Sequence, residues 1–303
     1  MGVTTTTGGG TASPQTVTSE SALASAVAGT TEAVVYVKGV LPAGKIKIGS
    51  NKTIVGLCGA EVHGHLGLSG SSNVIIRNLK IVGYGAGDCS LDPDYDSSVG
   101  CSSGNDAVTV NSASHHLWFD HCDISDGTDG NLDITNGADF VTVSWTKFHY
   151  TPRADPSGSD STGASGHRFS NLIGASDGLS IDVGHLNVTW HHDWWADNVM
   201  ERMPRTRTGQ IHVFNNLFTS TGDDYCTNAG DAAHVLVENN VYRAVKDPLK
   251  PDSNGDMLAR NNLFQSTTGT TTAGGTGFTP PYAYTPEDAS TIEAAVKAGA
   301  GPQ

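Results

Sequence analysis

The chain has 303 residues, of which 31 are acidic and 17 basic, for a formal charge of −14. Such a surface disfavours nucleic acid and anionic membranes, whose binding rests on Lys and Arg, and no stretch nears the roughly 18 consecutive apolar residues of a membrane span. With 37 glycines and only 16% charged residues, the composition favours an all-β protein with many turns, in one domain with a large core.

From the N-terminus, Met1-Gly2-Val3 and the Thr and Gly run behind it lack a basic region and an apolar core, so the chain reads as starting at a mature boundary. Residues 18–29 (TSESALASAVAG) predict a short capping helix with Thr18 as N-cap and Gly29 as C-cap. A pattern then recurs: alternating apolar residues, a polar pair often containing Asn, and a closing aliphatic or aromatic residue. It runs VIIRNLKI (74–81), LWFDHCDI (117–124), VTVSWTKF (141–148), NVTWHHDW (187–194), IHVFNNLF (211–218), VLVENNVY (235–242) and MLARNNLF (257–264). The closing residues Ile81, Ile124, Phe148, Trp194, Phe218, Tyr242 and Phe264 recur at intervals of 43, 24, 46, 24, 24 and 22. The two long intervals are near double the others, as if each hid one more turn. A short repeat with strand-like alternation predicts a solenoid. The leucine framework of leucine-rich repeats is missing, and a parallel β-helix fits better than a propeller or jelly roll.

Paired asparagines at 215–216, 239–240 and 261–262 suit tight bends and, stacked coil on coil, an internal amide ladder. Of Trp194 and Trp195, at least one is expected to pack inside rather than stack on a ligand. Residues 84–104 and 152–167 read as long polar loops, where binding clefts form. Cys89 and Cys101 bracket the first loop and are placed to pair if the chain is exported; the odd total of five leaves at least one thiol over. About residues 18–264 form the coils. Residues 265–303 form an extended tail over the flank and then a helix from Thr285-Pro286-Glu287-Asp288 to about Ala298, with Pro in its first turn.

The densest chemistry lies in residues 120–133. Asp129 and Asp133 flank a Gly-containing bend, and Asp106 lies about one coil earlier. Carboxylates stacked from adjacent coils repel unless a cation sits among them, and hard oxygen donors favour Ca2+. An ordinary Asp/Gly turn fits the same spacing. The pairs His115-His116 and His191-His192, and His63 with His65, read as core or ladder residues rather than zinc ligands, since neighbours on a strand point to opposite faces. Arg202, Arg205 and Arg207 sit within six residues of an otherwise acidic chain. They reverse the local field and offer bidentate forks to a carboxylate; a solvated patch around Glu201 is the plainer reading.

Together the segments at 73–81, 117–135 (LWFDHCDISDGTDGNLDIT), 140–148, 171–177, 188–195, 202–218 (RMPRTRTGQIHVFNNLF) and 235–242 resemble the pectate lyases, with VYVKGVLPAG and IGSNKTIVGLCG near the N-terminus also fitting. The resemblance implies a right-handed parallel β-helix and a secreted, monomeric, calcium-dependent enzyme that cleaves polygalacturonate by β-elimination. By the same resemblance Asp106, Asp129 and Asp133 bind Ca2+, Arg202 takes the C5 proton, and Arg207 grips the substrate carboxylate. Two departures stand out. Gly104 occupies a place where some relatives carry a further acid, and no Lys precedes the LIG motif, so Arg168 or Arg153 would serve that subsite. Because arginine ordinarily titrates above about 12, an arginine base implies an alkaline optimum. The rivals are a calcium-independent pectin lyase acting on methyl esters and a non-catalytic pectin-binding β-helix.

Overall fold

The computed structural model describes residues 5–152 and 167–303. The chain winds into a right-handed parallel β-helix, in which a typical coil lays one short strand on each of three stacks. Sheet A runs from Gln15–Val17 through Ala33–Val37, Lys52–Gly56, Ser72–Arg77, His115–Asp120, Asp139–Ser144 and Asn187–His191 to Asp256–Arg260. Sheet B follows A in each coil and includes Lys80–Val82, Asp123–Ser125, Lys147–His149 and Trp194–Trp195. Sheet C follows B and includes Val108–Asn111, Leu132–Ile134 and Leu172–Ile173. The long strands Arg205–Phe214 and Thr227–Glu238 bend through the corner from C into A.

Alternation decides which side chains enter the core. In sheet A one inward row reads Val35, Ile54, Ile76, Phe119, Val143, Trp190, Val213 and Val237, each paired with the next in register and each buried. In sheet B the inward row continues Ile81 and Ile124 with Phe148, Trp195, Phe218, Tyr242 and Phe264. Those five rings stack at centroid distances of 5.6, 4.7, 4.3 and 5.3 Å.

Between A and B the chain turns in two residues. The first takes positive φ in every coil from Asn78 onward (Asn78, His121, Trp145, His192, Asn215, Asn239, Asn261), which explains the asparagines, since Asn tolerates this region best after Gly. Where His and Trp stand instead, the rings stack outside the turn: His121 on Trp145 at 5.7 Å, and Trp145 on His192 at 4.3 Å. The second residue points inward and builds the expected amide ladder. Asp193 N–H donates to Asn216 Oδ1 at 2.7 Å, Asn216 N–H to Asn240 Oδ1 at 2.9 Å, and Asn240 N–H to Asn262 Oδ1 at 2.9 Å.

Several expectations need correction. Neither long interval hides a coil: Ile81 pairs directly with Ile124, and Phe148 with Trp195. Between Ile81 and Ile124 the extra residues leave the coil between B and C, whereas between Phe148 and Trp195 part of the excess, residues 174–186, leaves it between C and A. Trp195, not Trp194, closes its coil, because its two-residue turn is His192-Asp193 and the frame shifts by one; Trp195 is the member of the pair that packs inside. The adjacent histidines do not diverge. His116 and His192 each have φ 59°, which brings each ring beside its predecessor, Nδ1 to Nδ1 2.5 Å for His115–His116 and 3.0 Å for His191–His192.

Helix α1 spans Glu20–Ala26 with Ser19, not Thr18, as N-cap and Val27, not Gly29, as C-cap. Its Leu23 is buried at the N-terminal end of the core. Helix α2 spans Ala289–Gly299 and starts after Pro286, with Asp288 capping Ser290 N–H. Ala289, Ile292 and Val296 pack on Leu217 and Val241, on the outside of sheet B. The tail before it crosses sheet A, where the Tyr282 hydroxyl bonds Thr189 Oγ1 at 2.8 Å and His212 Nδ1 at 2.7 Å. Cys89 and Cys101 form a disulfide across the loop at 84–104, while Cys58, Cys122 and Cys226 are free thiols.

Candidate active site

The corner where the chain passes from sheet B to sheet C, together with the outer face of C, gathers the acids and arginines. Asp106 ends the disulfide-bridged loop. Its backbone carbonyl accepts from His65 Nδ1 at 2.8 Å, and its Oδ2 accepts from Thr109 Oγ1 at 2.6 Å. Asp129 comes from the next coil, where Thr128 N–H donates to Asn105 O at 2.8 Å and so ties the two coils together. Asp133 lies on Leu132–Ile134 and accepts from Leu172 N–H at 2.9 Å.

Carboxylate oxygens of Asp106, Asp129 and Asp133 lie within 4.8 Å of one another. Burial first, then the charges of Asp133 and Asp129, push the Asp106 carboxyl well above the ordinary carboxylate range. Asp133 is pushed up to about 7, by burial and then by Asp129. Arg202 pulls both back down. Asp106 and Asp133, which resist ionising beside one another and beside Asp129, form with it a donor set that asks for a cation.

Two further observations fit a hard cation. Asp106 Oδ1 is buried and has no hydrogen-bond partner. A Cβ at Gly130 would come within 2.7 Å of Asp133 Oδ1 and 3.1 Å of Asp106 Oδ1, so glycine leaves the space among these oxygens open. An all-oxygen set of this kind suits Ca2+.

Arg202, Arg205 and Arg207 stand on one coil, two along from that of Asp133. Arg202 has φ 62°, a costly conformation for a residue with a Cβ other than Asn or Asp and one that recurs at functional positions. Its guanidinium carbon lies 4.6 Å over the Phe169 ring, and Nε is buried without a hydrogen-bond partner. Arg207 donates through Nη1 to Gly174 O at 2.9 Å and Ala175 O at 2.8 Å, and its Nε lies 3.2 Å from Asp177. Burial, then Arg205, lowers its affinity for its proton.

Arg168 is brought beside Asp129 by the bridges Gly130–Phe169–Glu201, which place it in the next coil along. Arg153 lies outside the described residues, as does nearly all of the expected loop at 152–167. Three participants receive no site role of their own from the sequence, where Arg205 reads only as part of the arginine cluster. Arg205 pairs in register with Leu172, itself beside Asp133's coil, and shares the outer face with Arg207; the i, i+2 spacing on a strand was the readable signal. His167 Nε2 lies 2.9 Å from Asp129 Oδ1, and Phe169 underlies Arg202. No sequence spacing marks either of these.

A family model described as pectate lyase matches residues 2–303. Pectate lyase A of Aspergillus niger is 34% identical over 94% of this chain and 80% of its own length. A pectate trisaccharide-lyase of Thermotoga maritima is 35% identical over 61% of this chain and 45% of its own. Among solved structures, a Bacillus pectate lyase in complex with trigalacturonate matches with TM-score 0.76 at 23% identity, covering 98% of this chain and 95% of that one. The cedar pollen allergen jun a 1 matches with TM-score 0.77 at 20% identity, covering 98% and 91%. At these identities the structural matches speak for the fold alone.

Proposed function

This chain belongs to the pectate lyase family of polysaccharide lyases, and from that premise we propose that it cleaves polygalacturonate by calcium-dependent β-elimination on the outer face of sheet C. The observation that carries this reading is the juxtaposition of three converging carboxylates, one with an orphaned buried oxygen, and the arginines of residues 202–207, whose Arg202 acts electrostatically on Asp106 and Asp133.

Asp106, Asp129 and Asp133 would hold the ion. When bound there, Ca2+ supplies Lewis acidity that stabilises the charge left as the C5 hydrogen, α to the uronate carboxylate, departs. Arg202 in its neutral guanidine form accepts that proton, and the C4–O bond to the leaving sugar breaks, its oxygen taking a proton from solvent and the other fragment gaining a C4–C5 double bond at its end. Phe169 fixes the Arg202 guanidinium from below by a cation–π contact. Arg207, anchored to the carbonyls of 174 and 175, and Arg205 beside it present cationic forks to substrate carboxylates; Arg168 serves a neighbouring uronate. The disulfide supports an oxidising, extracellular setting.

The test is ultraviolet absorbance of unsaturated product from polygalacturonate, with added calcium and with a chelator. Product that forms with calcium and stops with chelator is the expected result. Activity that survives chelation, above all on methyl-esterified pectin, would transfer the chain to calcium-independent chemistry.

A further inference from the structure

Sheet A, on a different side of the β-helix from the acids and arginines, carries a cavity of about 540 Å3. That lies within the roughly 300–1,000 Å3 usual for small-molecule sites. Its floor includes Trp118, Thr142 and Thr189, which are successive partners in the sheet register. One wall is the N-terminal segment at Thr5 and Thr6, and the other is the tail at Phe278 and Tyr282.

The aromatic groups here are fixed in place. Trp118 donates its indole N–H to Ser144 Oγ at 2.9 Å, and Ser144 donates in turn to Asp120 Oδ1 at 2.7 Å. The indole is thus satisfied in its own plane, leaving a ring face free of polar demand. Tyr282 is tethered through its hydroxyl to Thr189 and His212. Around these rings stand the hydroxyl of Thr142 and the amides of Asn187 and Gln210.

Charge decides the occupant. In a chain of net charge −14, no Asp, Glu, Lys or Arg among the described residues lines this cavity. Of its two histidines, burial holds His191 down at about 4 and lowers His116, so both are neutral near pH 7. The cavity therefore offers nothing to a uronate, in contrast to the groove on sheet C. A neutral sugar presents C–H faces that suit aromatic rings and hydroxyls that suit Thr, Asn and Gln. We propose that the sheet A cavity is an accessory binding site for a neutral saccharide of one or two units, separate from the catalytic groove.

The site is tested on the full chain by intrinsic tryptophan fluorescence and ligand-observed NMR, titrating cellobiose, galactobiose and arabinobiose, with digalacturonate as the charged control. The expected result is saturable binding of at least one neutral disaccharide with Kd on the order of 1 mM. Trp118→Ala should weaken it about tenfold or more, and Trp118→Phe should keep part of it, with turnover on soluble polygalacturonate unchanged in both. Should Trp118→Ala not fold, Phe278→Ala in the tail provides the same comparison. No saturation by any of the three sugars up to about 100 mM, affinity equal in wild type and variants, or an anilinonaphthalene sulfonate response that neutral sugars fail to displace would each overturn the proposal. Because binding is read without turnover, an inactive lyase would leave this result standing.

Discussion

Arg202 combines a positive φ, a ring beneath its guanidinium and a buried Nε without a hydrogen-bond partner. If it moves the proton, Arg202→Ala should lower kcat by about 10²–10⁴ with KM and circular dichroism nearly unchanged; a large rise in KM alone would make it a binding residue. Asp193 invites a different test. It holds a rung of the amide ladder, with Oδ1 accepting from Thr146 N–H at 2.8 Å, but its Oδ2 stands buried and unpartnered where asparagine would carry NH2. Burial pushes its carboxyl well above the ordinary range. The folded state thus holds a proton that the unfolded chain has already released, so stability falls as pH rises from about 4 to the folded pKa, by about 1.4 kcal/mol per unit. Asp193→Asn removes that loss. Its melting temperature should match wild type near pH 4 and exceed it increasingly at higher pH, and a difference independent of pH would refute this account.

At the scale of single elements, α2 is a cover rather than a participant. Ile292 is fully buried against Leu217 and Val241, so Ile292→Ala should cost about 2–5 kcal/mol in urea unfolding. Turnover below the melting range should be unaffected, because the helix lies on sheet B and the acids and arginines lie on C; lost activity in a folded variant would contradict this placement. The elements also show what the sequence could convey. Rows such as Phe148, Phe218 and Tyr242 were legible because each strand repeats one alternation and each turn a polar pair. The coil whose turn is His192-Asp193 lacks the Asn-Asn marker, and there the frame slips from Trp195 to Trp194. A doubled interval in the sequence looks the same whether it holds another coil or a loop, and only the pairing of Ile81 with Ile124 distinguishes them. At the site, Asp129, Asp133 and Arg202 were legible as dense local blocks. His167 was not, because its approach to Asp129 is a contact between coils that no spacing along the chain marks.

The whole molecule sets an opposing pair of fields. A chain of net charge −14 repels a polyuronate at long range, while Arg202, Arg205 and Arg207 attract it over a few ångströms. Raising salt from about 0.01 to 0.1 M shortens the Debye length from roughly 30 to 10 Å, and about 1 M shortens it to roughly 3 Å. KM for polygalacturonate should therefore fall over the first step, as the long-range repulsion is screened, and rise over the second, as the groove contacts weaken. A KM that only rises from the lowest salt would mean the net charge is not felt. The two-residue turn between sheets A and B has a consequence of another kind. One residue more or fewer there would turn the following strand inside out, exchanging its core and solvent faces, whereas the B-to-C corner accepts the whole segment at 84–104 while Ile81 still meets Ile124. Inheritance of shape and inheritance of chemistry are thus assigned to different corners of the coil: one corner keeps the pitch, and the other is free to lengthen, shorten and acquire new side chains over the groove.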